Sequence, residues 1–513
     1  MKMQKDSVLV IGAGMGGLAA AIRLAAAGRA VTLCEAHGWA GGKMRVVPSA
    51  AGPVDAGPTV LTMRDVLAEL FEVAGTELAA HVSLEPLSVL ARHFWTDGTQ
   101  LDLFATPEAN AEAIGAVFGA RACAEFQRFE AETRALFDAF DTPIMRSPRP
   151  DALGAARAML PRAALWPWLA PGRTLEAMLA ARFSEPRLRQ LFGRYATYVG
   201  GNPTLAPAVL GLIWQAEARG VWAVRGGMAA LAGALADLFA SLGGDLRLNT
   251  PVARIMTAGG AISGAQLDDG EVIDARQIVF NGDPAALPWL LDQRPPRLAT
   301  APRSLSAQVW TFSAEVQAHG MGRDALAYHS VFFADDPAQE FGPLGQGRAP
   351  HEPTIYVCAQ DRISARLGGA ERFQFILNAP PVTRKEPPCP TDPLSRLARF
   401  GLHLSPAPRQ EALTRPQDFA QLFPHSQGAL YGLSPNGMLA TFQRPRARTK
   451  LTGLYLAGGG VHPGAGVPMA LLSGKHAATA LLGDRISAAR SRRMAMPGGM
   501  STGSAMTARA PSR

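Results

Sequence analysis
The chain opens on a short unbroken apolar run, Ser7-Val8-Leu9-Val10-Ile11. A strand buried on both faces reads this way, whereas a strand with one wet face alternates. Gly12-Ala13-Gly14-Met15-Gly16-Gly17 follows, then an alanine-rich stretch that predicts a helix from Leu18 to Ala27, stopped by Gly28. Val31-Thr32-Leu33-Cys34 predicts a second buried strand, ending at Glu35. Near the far end a similar succession returns: a strand at Leu454-Tyr455-Leu456-Ala457, a glycine-rich turn from Gly458 to Pro468, and a helix from Met469 to Leu482.

Between these ends the period changes. From residue 60 to 215 apolar residues recur at helical spacing, as in Val66-Leu67, Leu70-Phe71 and Ala74, and again in Phe126, Phe129, Thr133, Leu136, Phe137 and Phe140. A phenylalanine stripe at this period is packed core or the wall of an apolar tunnel. Gly226-Gly227-Met228 leads into a predicted helix from Ala229 to Leu242, and Gly243-Gly244 stops it. Strands are expected at Leu246–Leu248, Val252–Ile255 and Ile278–Asn281, the last returning to the first sheet. Runs at Ala307–Phe312, Thr354–Cys358 and Phe373–Leu377 predict a second sheet. The segment Met159–Pro171 holds Trp166 and Trp168 among Pro161, Pro167 and Pro171, with Arg157, Arg162 and Arg173 nearby. Indoles and arginines around an apolar element suit contact with one membrane face, and a buried hinge fits the same residues.

Composition sets the bounds. At 513 residues and ~100–200 per domain, two to four domains are expected. With 48% hydrophobic and 18% charged residues the chain is globular, and 53 glycines without a G-X-Y period exclude collagen. Six of the eight excess positive charges are arginines between Arg485 and Arg513, a stretch without an acid. The body is therefore near neutral and no nucleic-acid face is indicated. The tail reads as solvated chain, or as weakly drawn to an anionic membrane surface. Cys34, Cys123, Cys358 and Cys389 lack C-x-x-C spacing, so neither a disulfide framework nor a zinc site is expected, and a reducing cytoplasm fits. Lys2 and Lys5 precede an uncharged run from Ser7 to Ile22, but glycines interrupt it and it is too short to span a bilayer. No signal peptide is expected, and the protein is read as soluble or bound to one membrane face.

The opening segment carries the chemistry of a dinucleotide site. Gly12 permits the tight turn, Gly14 lets the backbone approach a pyrophosphate, and Gly17 lets helix and strand pack closely. The helix start offers free N–H groups and partial positive charge to that anion. Glu35 is placed to accept from ribose hydroxyls, and it would repel a 2′-phosphate, which disfavours NADP. Ala40-Gly41-Gly42-Lys43-Met44-Arg45 follows, either a surface turn with a solvated lysine or part of the same site. The Gly458–Pro468 turn again places bare N–H groups at a helix start.

The segments GAGMGGLAAA, AGGKMR, DAGPTVLTM, YVGGNP, GVWAVRGGM, FNGDP and AGGGVHPGAGVPMAL resemble the bacterial phytoene-desaturase family of carotenoid oxidoreductases over nearly all of residues 7–486. That family is similar to the amine oxidases. The resemblance implies an α/β fold: a Rossmann-like FAD-binding domain with an inserted α+β substrate domain. The FAD-binding unit is then residues 1–100, 216–295 and 421–486. Residues 101–215 form a helical substrate and membrane-contact region, 296–420 the substrate-domain sheet, and 487–513 a disordered basic tail. The resemblance implies that FAD is held by Gly12, Gly14, Gly17, Glu35, Gly42, Lys43, Arg45, Gly57, Pro58, Thr59, Val252, Gly458, Gly459, Pro468 and Met469. In it the basic residue lies by the cofactor's phosphate and ribose, the backbone of Val252 touches adenine, and the closing helix points at the flavin's pyrimidine edge. Met469 departs from the family, which usually has glycine there. ARHFW, FGRYATYVGG, LIWQAEA and VPMAL carry a closer likeness, to the branch that forms the 3,4 double bond of 1-hydroxy- and 1-methoxy-carotenoids.

What the resemblance implies is hydride transfer from an allylic carbon to flavin with loss of a proton, on a long apolar carotenoid taken from a membrane surface. Oxygen or a quinone would be the final electron acceptor. Desaturation of phytoene is one alternative. A flavin-free lipid carrier similar to the Rab GDP-dissociation inhibitors is another, and the complete phosphate loop argues against it. No acid–base pair stands out, so no catalytic residue is assigned. His462 in the glycine-rich turn is read as a positioning hydrogen bond, Asp283 before Pro284 as a helix cap, and His329 as a satisfied sheet histidine. Asp151 falls where the family carries an Asp-x-x-Arg pair, but Gly154 replaces the arginine.

Overall fold
A computed structural model describes residues 7–150, 152–293, 301–363, 369–382, 392–437 and 440–494. Five parallel strands form a first sheet in the order Leu454–Leu456, Ile278–Phe280, Val8–Ile11, Val31–Cys34, Asp245–Arg247. The opening strand is central and all four of its residues are buried, the physical reason its sequence does not alternate. The two ends of the chain thus lie in one sheet.

The opening helix spans Met15–Ala26 and starts on Gly14, before the expected Leu18. Its first-turn glycines are demanded by neighbours rather than by helix propensity. A Cβ on Gly17 would overlap the Gly12 carbonyl oxygen, and one on Gly16 would overlap the Gly458 backbone. The closing helix, Val467–Met494, lies against the opening one, with Gly474 packed on the Gly16 carbonyl. It carries Pro468 in its first turn, where a missing N–H costs nothing. It also runs past Leu482, because Asp484 is held by Arg448 and by the Tyr455 hydroxyl. The tail expected from residue 487 is therefore helical through Met494, and 495–513 lie outside the described residues.

A second sheet of eight strands runs in the order Leu404–Ser405, Ser306–Val316, Glu371–Ala379, Ile355–Ala359, His329–Phe332, Val89–Phe94, Gln100–Phe104, with Leu413–Thr414 beside Ser306–Val316. The hairpin Val89–Phe94/Gln100–Phe104 falls across the expected boundary at residue 100, and it joins this second sheet by pairing in parallel with His329–Phe332. A parallel partner so distant in sequence leaves no local signal. A small antiparallel sheet, Val252–Ala258, Ala261–Leu267 and Val272–Asp274, flanks the first.

The helical region is built on Ala120–Phe140. Its phenylalanine stripe does both of the things expected of it. Phe126 and Phe129 pack with Phe192 and other buried rings, while Phe137 and Phe140 line a cavity. The two tryptophans of Met159–Pro171 also divide: Trp168 is buried and donates to Glu132, whereas Trp166 is 53% exposed.

Candidate functional site
Two cavities meet at the turn before the closing helix. The first, about 550 Å³, is lined by Gly12, Gly14, Glu35, Gly42, Lys43, Gly57, Pro58, Val252, Gly458 and Gly459. The structure thus brings ten of the fifteen expected cofactor residues to one hollow. The second, about 510 Å³, is walled mainly by apolar side chains such as Phe137, Phe140, Ile144, Leu210 and Ile213. Ala465, Gly466 and Val467 line both.

The hollow's floor is backbone. Gly12 has φ +97°, a turn only glycine adopts without strain. The opening helix has neither a side-chain cap nor an acid in its first turn, so its N–H groups remain available to an anion. Gly41 donates to the Ala13 carbonyl at 2.8 Å, which ties the Gly-Gly-Lys element beside the phosphate loop. Glu35 is buried, and its carboxylate accepts from the amides of Ala13 (2.7 Å) and His37 (2.9 Å). Those bonds fix its orientation and leave lone pairs for hydroxyl donors.

Lys43 is the strongest indication of what the hollow holds. Its ammonium donates to the Leu430 carbonyl at 2.5 Å and lies 5.3 Å from the centre of the Phe423 ring. Among the described residues no carboxylate forms an ion pair with it, and Asp283 is already paired with Arg303. Burial pushes its pKa down to about 8. A half-buried cation without a carboxylate partner, in a hollow lined by glycine backbone and a bare helix start, fits a dinucleotide diphosphate.

The remaining expected residues sit elsewhere. Gly17 serves helix packing. Arg45 donates to Thr414 at 2.6 Å and lies over Phe419. Thr59 meets the Tyr356 hydroxyl at 2.6 Å. Pro468 and Met469 line the apolar cavity instead of the nucleotide hollow. Asp283 does cap a short turn, accepting from the Ala285 amide. His329 lies in its strand, 2.6 Å from the Tyr356 hydroxyl, and burial pushes it down to about 3. His462 donates to the Ser147 carbonyl at 3.0 Å and stacks on His476, so it ties the turn to the Asp141–Met145 helical turn and the residues after it. Asp151 and Cys389 lie outside the described residues.

Two residues escaped sequence reasoning. Asn281 donates to the Gly12 carbonyl at 3.0 Å and fills the space that a Cβ on Gly14 would need. The quoted FNGDP segment contained it, without a reason to choose it. Asp55 accepts from the amides of Met228 and Ala229, capping Met228–Ser241 from a distant segment. A cap supplied across so many residues has no local pattern.

The family described as flavin containing amine oxidoreductase matches residues 15–316 and 398–482. A hydroxyneurosporene desaturase of Cereibacter sphaeroides is 53% identical over 96% of this chain and 100% of its own length. A lycopene-forming phytoene desaturase of a Paracoccus species is 31% identical over 94% and 98%. Among solved structures, cyclohexylamine oxidase from Brevibacterium oxydans superposes with a TM-score of 0.55 at 16% identity, covering 94% of this chain and all of its own. That likeness shows the fold.

Proposed function
Because the chain belongs to the family of flavin-containing amine oxidoreductases, we propose that it is an FAD-dependent carotenoid desaturase that forms the 3,4 double bond of 1-hydroxy- and 1-methoxy-carotenoids. The observation that carries the reading is the meeting of a dinucleotide hollow and an apolar tunnel at Ala465–Val467. FAD, when bound, supplies a hydride acceptor. Gly12, Gly14, Gly42 and Lys43 are the residues we assign to its diphosphate, Glu35 to its ribose, and Val252, Gly57, Pro58, Gly458 and Gly459 to the walls around it. Phe137, Phe140 and their neighbours exclude water and hold an extended polyene in line with the junction, a task of alignment rather than acid–base chemistry.

The tunnel mouth supports delivery from a membrane. Leu169 and Leu205 line the cavity and are also exposed. Leu153, Leu160 and Trp166 extend the apolar surface, with exposed Arg157 and Arg162 among them. No described helix is long and apolar enough to cross a bilayer. A face of indole, leucine and arginine suits peripheral seating on one leaflet. We assign the final electron acceptor to oxygen or a membrane quinone.

Incubation of the holoenzyme with liposomes tests the substrate. A liposome-borne 1-hydroxy-carotenoid should yield a product absorbing at longer wavelength, and phytoene should not. Conversion of phytoene alone, or purification of a flavin-free protein that still binds lipid, overturns the proposal.

A further inference from the structure
The apolar tunnel has a polar spot in its wall. Tyr198 and Glu217 line it, from the turn Arg194–Val199 and the helix Trp214–Ala218. They come from FGRYATYVGG and LIWQAEA, two segments that do not line the dinucleotide hollow, although Gly200 of the first packs against Tyr431, which does. Arg194 donates to the Tyr198 hydroxyl at 2.9 Å and lies over the rings of Tyr195 and Tyr198. The Tyr198 hydroxyl reaches both oxygens of Glu217 only at 3.4 Å. Beside them the buried Tyr195 hydroxyl makes no hydrogen bond within 3.5 Å, yet it lies close enough to Glu217 to favour the charged carboxylate. Glu217 is 2% exposed, and burial raises its pKa. One Tyr198 proton is shared between two carboxyl oxygens at long range, so Glu217 keeps acceptor capacity that a purely hydrocarbon ligand would leave unused.

Most other polar groups of the wall are committed. Arg444 donates to the carbonyls of Tyr431 and Gly459, His462 to that of Ser147, and Thr174 caps the Leu175–Arg182 helix. Thr62 offers a lone neutral hydroxyl. Arg173 adds a cation to the wall, and among the described wall residues Tyr198 and Glu217 set a donor next to an acceptor with a second cation, Arg194, behind them.

We infer that Tyr198 and Glu217 form the subsite that recognises the oxygen on C1 of the carotenoid. This rests on the proposed function and deepens it. A 1-hydroxyl accepts from Tyr198 and donates to Glu217, whereas a 1-methoxy oxygen can only accept, from Tyr198. Arg194 holds the Tyr198 hydroxyl so that its proton faces the tunnel or the carboxylate. Hydrogen bonds of this kind carry selectivity because the analogue lacking the oxygen leaves the buried groups unpaired.

The test compares three carotenoids in detergent micelles: 1-hydroxy, 1-methoxy, and the same polyene without oxygen on C1. Binding to the holoenzyme is followed by quenching of tryptophan fluorescence, and kcat/KM by product absorbance. Tyr198→Phe should lower the preference for both oxygenated ligands over the oxygen-free one by about 10- to 100-fold. Glu217→Gln should lower the preference for hydroxy over methoxy. Flavin content and melting temperature report folding, and Tyr198→Phe keeps the Arg194–Glu217 charges in place if Glu217→Gln misfolds. An unchanged preference in Tyr198→Phe, or a wild type that binds all three alike, overturns the subsite. A wild type that prefers oxygenated ligands in binding yet converts none of them overturns the desaturase reading and leaves the subsite standing.

Discussion

At the scale of single residues, the diphosphate role proposed for Lys43 links burial to cofactor binding. Its ammonium is pushed down to about 8 because it is out of water without a carboxylate partner. An anionic diphosphate is bound by the protonated form. Below pH 8 the free protein already carries that proton, so FAD affinity should be flat. Above pH 8 binding must take up a proton, and affinity should fall by up to about tenfold per pH unit. Lys43→Met should weaken binding by about tenfold or more at neutral pH and remove the slope. Titration of the apoprotein by quenching of flavin fluorescence between about pH 6.5 and 9.5 checks both. A slope that survives the substitution assigns the proton to another group. Glu35 differs in kind: two backbone amides pin its carboxylate before any ligand arrives, so it is an oriented acceptor.

At the scale of elements, the parts that recur locally were legible and the parts joined from afar were not. The opening strand, helix and second strand follow from an apolar run, a glycine motif and alanine-rich helical spacing. The helix nevertheless starts on Gly14, and its first turn is glycine because Gly12 and Gly458 crowd it. The Val89–Phe94 strand was missed as part of the second sheet because its parallel neighbour is His329–Phe332. Asp55 belongs to this class of long-range device. Burial pushes its carboxyl up, and the amides of Ala229 and Met228 pull it back. It fixes the start of Met228–Ser241 against the stretch that carries Gly57 and Pro58. Asp55→Ala should cost about 2 kcal/mol, since two first-turn amides and a helix start lose their acceptor. Asp55→Asn should cost less. Urea midpoints of the two variants measured together decide this, and equal midpoints would show that the cap carries no weight.

At the scale of the whole molecule, the proposed membrane seating joins the tunnel mouth to the apolar surface around it. An enzyme that draws a greasy rod from a bilayer needs its entrance at the lipid, and Leu169 and Leu205 sit at both cavity and surface. Replacing Leu160 and Trp166 together with serine should lower cosedimentation with anionic liposomes by about tenfold or more, given what burying two such side chains contributes. Flavin content and melting temperature should not move, because both side chains are more than half exposed. Unaltered cosedimentation would place the membrane contact on another face.

The sequence alone determined the dinucleotide crevice, because each part of it is a short-range pattern whose glycines have few alternative uses. That both chain ends serve that crevice was implied by the resemblance, and the structure places Gly12 and Gly458 in one hollow. Only the tertiary structure decided that Pro468 and Met469 face the apolar cavity and that Arg45 and Thr59 are held by neighbours in the second sheet. It alone placed Tyr198 beside Glu217. Those facts depend on which surfaces meet when distant segments pack, and close packing leaves no trace in the local order of residues.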